Sequence, residues 1–171
     1  MESYTFDQHR HNYATWTAAR AVQRNFTTTS NIKEAIDKSG LKQFVEDELN
    51  VSADEFKSYH LRWARSLINT FEERDVRTCT YGRAAKIISI YLKTAVIISN
   101  QGSCSRSKFI HPPVDGILLK NLSKLEGLKD LGTKRWTQFS DIEYWGLVDR
   151  LNNHFKRFDW TLEFYWSPEQ H

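Results

Sequence analysis

The chain has only two cysteines, Cys79 and Cys104, and only three prolines, none of them before Pro112. Two thiols make no disulfide framework, and no His/Cys spacing in the chain resembles a zinc site. With early prolines missing and no Asn-Gly pair anywhere, the punctuation of a hairpin-rich fold is absent. The one Asp-Gly pair, Asp115-Gly116, has no alternating strand pattern beside it. Internal repeats and low-complexity tracts are lacking too. Charge of one sign is scarce in excess: Lys+Arg 24 against Asp+Glu 21 leaves +3, which permits a nucleic-acid partner without requiring one. Nor is there a long uncharged hydrophobic run. The most apolar stretch, Tyr81 to Ile98, carries Arg83, Lys86 and Lys93, which argues against a membrane span. The N-terminus shows no charged region followed by an apolar one, so no secretory leader is expected and the plain expectation is a cytoplasmic protein.

What is present is ordinary globular composition, 40% apolar and 26% charged, in 171 residues. That is enough chain for one domain, 1–171, with a real core. Six Trp, seven Tyr and ten Phe allow a large core with aromatics to spare for the surface.

The helix signals are strong. Phe6 to Phe26 has no breaker and reads as one helix. Ile32–Ser39 reads as a short helix closed by Gly40, and Leu41–Leu49 as another. Ser52 with Glu55 forms a capping box. It opens a helix whose spacing buries Phe56, His60, Trp63, Ala64, Leu67, Ile68 and Phe71. Ser140 with Glu143 is a second box, opening a helix that buries Tyr144, Leu147, Val148, Leu151 and Phe155. The tail after Asp159 reads as a strand or a short helix, and Asp159 as a cap favours the helix. The polar, small-residue stretch from Asn100 to Lys108 is the segment expected to be most mobile. The expected fold is all-α, a single compact helical domain.

Its expected centre is a long, nearly all-apolar helix over Tyr81–Ile98. On a helical wheel Arg83, Lys86, Ser89 and Lys93 share one arc of roughly 120°, and isoleucines and alanines cover most of the rest. A following helix is expected to start at the Pro112-Pro113 pair and run to about Ser123, with Asp115 in its first turn. There Asp115 falls inside an apolar arc, between Leu119 and Leu122, where an acid needs a partner or a purpose. Lys86 and Asp115 are therefore the candidate catalytic pair. A partly desolvated lysine can act as a nucleophile; the plain alternatives are a solvated stripe for Lys86 and, for Asp115, an acid interacting with the helix N-terminus. Trp136, beside Lys134 and Arg135, is a candidate for base stacking with phosphate contacts, or for simple packing. His60 reads as a core histidine and His111 as a capping or packing residue. His9 and His11 read as a solvated face or phosphate contacts.

The stretch Tyr81-Gly82-Arg-Ala-Ala-Lys86-Ile-Ile-Ser-Ile, followed by Pro113-Val114-Asp115-Gly-Ile-Leu-Leu, resembles the helix-hairpin-helix DNA glycosylases, in particular their 8-oxoguanine branch. The resemblance covers a core of about 77–125. In that family a glycine-led hairpin opens a helix with a catalytic lysine four residues on, and a Pro-Val-Asp segment follows. It implies an all-α fold, double-stranded DNA as the partner, and no metal or organic cofactor. Lys86 would attack the deoxyribose C1′ and form a Schiff base. Asp115 would stabilise the oxocarbenium-like transition state, and Gly82 with its adjoining amides would hold a phosphate. Arg83, Lys93, Lys134, Arg135 and Trp136 complete the DNA-contacting set. The implied activity is excision of an oxidised purine with AP-lyase cleavage. The alternative is a non-catalytic helical module that binds DNA or a protein.

Overall fold

Local signals start most of the helices. A computed structural model of the chain describes residues 3–166. Thr5 and Gln8 form a capping box that opens α1 (Phe6–Val22). α2 (Thr29–Ser39) ends at Gly40, whose φ of 86° lets the chain reverse directly into α3 (Leu41–Glu46). The two boxes read from the sequence, at Ser52 and Ser140, open α4 (Ala53–Glu73) and α7 (Asp141–Phe155). Between them lie α5 (Tyr81–Leu92) and α6 (Gly116–Leu122), with short 3₁₀ turns at Ser105–Phe109, Lys129–Thr133, Trp136–Gln138 and Trp160–Tyr165. The described residues contain no strand, and the fold is all-α.

One continuous core joins the seven α-helices of the described residues. α5 packs against α1, α4 and α7 and against the Trp136–Gln138 turn, so it has neighbours on most sides. The single long central α-helix is replaced by two unlike pieces. α5 stops at Leu92, and Lys93–Ile98 continues as a π-helix. The widening begins where Thr94 bonds its hydroxyl back to the Ile90 carbonyl at 2.9 Å, competing with the regular ladder.

Three further expectations are corrected. The helix expected from Pro112 begins only at Gly116. A proline pushes the residue before it out of the α region, so His111 and Pro112 are both held extended. The run Ile110 to Asp115 is buried throughout. The stretch expected to be mobile is anchored in its second half, where Arg106 is buried and donates to the Phe44 carbonyl at 2.5 Å. α1 ends at Val22, and its inward face is His11, Ala14, Thr15, Ala18, Ala19 and Val22, while Tyr13 and Trp16 stack on each other at the surface.

No helix among the described residues is long and apolar enough to cross a membrane.

Candidate functional site

The site forms where the polar stripe of α5 meets the N-terminus of α6. Asp115 has extended backbone and caps α6: one carboxylate oxygen, Oδ1, accepts from the amides of Ile117 and Leu118, both at 3.0 Å. That fixes the carboxylate and turns Oδ2 outward from the cap. Oδ2 accepts from Lys86 Nζ at 3.1 Å and from Trp166 Nε1 at 3.1 Å. The Lys86 ammonium also lies 4.7 Å from the centre of the Trp136 ring. The pair is thus enclosed between two tryptophans, and each side chain keeps only 11% of its accessible surface. Chemically, this is an amine and a carboxylate in hydrogen-bond contact in a mostly dry setting, with the carboxylate oriented by a helix end.

The rest of the stripe is covered rather than solvated. Ser89 is buried. Lys93 pairs with Glu163 at 2.7 Å. Arg83 donates to the Thr78 carbonyl at 2.9 Å and lies over the Phe26 ring. Of the expected DNA-contacting side chains, Lys134 and Arg135 are exposed. Trp136 is half-buried, and its ring faces Lys86.

Gly82 does not hold a free amide. Its N–H donates to the Phe139 carbonyl at 3.1 Å, and Thr80 Oγ1 donates to the Thr137 carbonyl at 2.8 Å. A Cβ at Gly82 would overlap the Trp136 carbonyl oxygen. The glycine is needed because the Trp136–Phe139 backbone lies directly on the start of α5, and that same backbone occupies the place expected for a phosphate.

The histidines divide in an unexpected way. His11 is buried, bonded to the Tyr91 hydroxyl at 2.8 Å and to Asp37 at 2.9 Å, so it is not a solvated or phosphate-contacting residue. His60 Nδ1 bonds the Tyr81 hydroxyl at 2.8 Å, and that hydroxyl also accepts from Trp145 Nε1 at 2.8 Å. His111 Nδ1 bonds the Tyr144 hydroxyl at 2.9 Å, and its ring packs beside His60. Burial holds His60 down to about 3 and His111 well below the usual histidine range, so both are neutral at pH 7. Cys79 is no nucleophile either, since burial pushes its thiol up to about 12. Among the described residues no group of three or more His, Cys, Asp and Glu side chains is placed to hold a metal ion.

Sequence reasoning missed Trp166 and Glu163, the two tail residues that close over the stripe. The signal for them was faint: an acid and several aromatics in a segment with no clear period. Comparison with models of known protein families, with curated proteins and with solved structures yields no match.

Proposed function

We propose that the chain is a DNA glycosylase-like protein in which Lys86 is the nucleophile and Asp115 its carboxylate partner. The observation that supports this reading is the 3.1 Å contact between Lys86 Nζ and Asp115 Oδ2, because attack needs an unprotonated amine and Oδ2 is in place to take the proton. The amine then bonds to C1′ of a damaged nucleotide as the C1′–N bond breaks and the base leaves with the electron pair. The C1′–O4′ bond then breaks, O4′ takes a proton from the attached nitrogen, and the opened sugar is left as the imine. Asp115, tethered by two α6 amides, passes the proton taken from Lys86 to the departing base and, ionised again, stabilises the positive charge that develops on the sugar. Trp166 covers the pair, so the sugar reaches Lys86 when Trp166 swings aside. The exposed Lys134 and Arg135 supply phosphate contacts.

The test is incubation with duplexes carrying 8-oxoguanine, uracil or an abasic site, with and without borohydride. A covalent adduct is expected that vanishes in Lys86→Gln, while Asp115→Asn retains DNA binding and slows base release. Absence of an adduct on every duplex, from folded protein, overturns the enzymatic reading.

A second reading is favoured by the 11% exposure of both side chains. Here the pair only joins α5 to α6, in a non-catalytic helical module that binds DNA through Lys134 and Arg135. Salt-sensitive DNA binding without any adduct, lost on reversing those two charges, is its signature.

A further inference from the structure

A second concavity, sharing no residue with the Lys86 site, lies between the start of α4, the Lys108–His111 segment and the C-terminal half of α7. Its volume is about 410 Å³, within the range of small-molecule sites. The walls are aromatic: Phe56, Phe109, Trp145 and Phe158 line it. Four cations surround it, Lys57, Lys108, Lys156 and Arg157. None of the four has a carboxylate within salt-bridge distance among the described residues. Asp54, Asp149 and Asp159 also line the cleft. Asp159 is engaged locally, its Oδ1 accepting from the amide and hydroxyl of Thr161.

His111 also lines the cleft and is 5% exposed. Its Nδ1 is taken by Tyr144, and its Nε2 has no partner among the described residues. An unpartnered nitrogen of a mostly buried ring, at the edge of an aromatic cleft, is a hydrogen-bonding point that a ligand can complete. Because burial keeps this ring neutral, it adds no charge and reads the ligand by hydrogen bonding alone.

Each feature selects a different part of one ligand. Aromatic walls favour a flat π-system of any base identity. Lys57 lies over the Trp145 ring and Lys108 over the Phe109 ring, which leaves Lys156 and Arg157 to favour a phosphate, held by Arg157 through two parallel N–H donors. The volume limits the occupant to about one nucleotide. We infer that this cleft binds a small phosphorylated aromatic ligand of the mononucleotide class, its ring between the aromatic walls against His111 and its phosphate on the Lys156–Arg157 rim. The inference stands independently of whether Lys86 is a nucleophile.

The test is a calorimetric titration of the folded protein with AMP and UMP, beside adenosine and inorganic phosphate. At least one nucleotide is expected to saturate, about tenfold or more tighter than adenosine or phosphate, and to weaken as salt rises. The variant Lys156→Glu/Arg157→Glu alters only exposed positions and is expected to lower that affinity about tenfold or more with an unchanged circular dichroism spectrum. Asn152→Trp narrows the cleft from α7 and is expected to weaken nucleotide and adenosine alike. Failure of both nucleotides to saturate, phosphate binding as tightly as the nucleotides, or unchanged affinity after charge reversal overturns the proposal. The Lys156/Arg157 variant is expected to leave any borohydride trapping at Lys86 unchanged, so the outcome here does not depend on the enzymatic reading.

Discussion

Lys86 and Asp115 stand twenty-nine residues apart in the chain and meet with Nζ 3.1 Å from Oδ2, on a carboxylate already committed to the α6 amides. Removing either partner leaves a charge enclosed between two tryptophans. Lys86→Met and Asp115→Asn are each expected to lower stability, by about 3 kcal/mol if the pair behaves as a buried one. The double variant is expected to lose clearly less than the sum of the two. Urea denaturation of all four proteins measures this coupling, and strict additivity would show that the contact contributes nothing.

Asp115→Ala is expected to cost more than Asp115→Asn, by about 1 kcal/mol, because alanine removes the cap as well as the charge. Equal stabilities of the two variants would remove Oδ1 from the account of α6.

Gly82→Ala is a test of the closed α5 N-terminus. The added methyl meets backbone, the Trp136 carbonyl, and not the end of a flexible side chain. A loss of about 2 kcal/mol or more is expected, with the Gly82–Phe139 hydrogen bond weakened. Hydrogen exchange at the Gly82 amide reports it directly; unchanged protection would contradict the close approach.

Trp166 donates to the same Asp115 oxygen as Lys86 and keeps 36% of its surface exposed. Trp166→Ala is expected to open the pair with little loss of helix content. Acylation of Lys86 by an amine-reactive reagent, followed by peptide mapping, should then quicken several-fold. No change in rate would mean that Trp136 and the surrounding helices alone shield the lysine.

The two buried histidines set an acid limit. In the unfolded chain each titrates near the ordinary value of about 6.5, whereas in the fold His60 is held down to about 3 and His111 well below normal. The contribution of His60 is therefore complete above about pH 6.5 and is lost as pH falls toward about 3, with a slope approaching about 1.4 kcal/mol per pH unit in that window, and His111 acts in the same direction. His60→Phe is expected to shrink the slope by one histidine's share, read from urea midpoints between about pH 7 and pH 4. An identical slope in the variant would mean that His60 gains a proton without unfolding.

Much of the helical layout was legible because it is decided within one turn of chain. The boxes Ser52–Glu55 and Ser140–Glu143, the closing glycine at Gly40 and the capping Asp159 act over two or three residues. The buried face of α4 follows from helical spacing alone, with Phe56, His60, Trp63, Ala64, Leu67 and Phe71 all inside. α1 was less legible: with aromatics and alanines on different faces, only packing onto α5 and α2 selects the alanine side.

By itself the sequence determined the helical class, most helix starts, and the chemical kinds of group offered by α5 and by the Pro113-Val114-Asp115 segment. Tertiary structure decided what those groups meet. Lys93 finds Glu163 seventy residues on, Asp115 finds Trp166 fifty-one residues on, and Thr80 finds the Thr137 carbonyl fifty-seven residues on. No local propensity encodes such contacts. They follow from how the turns at Trp136–Gln138 and Trp160–Tyr165 settle onto an apolar core, where a stray polar group must find a partner.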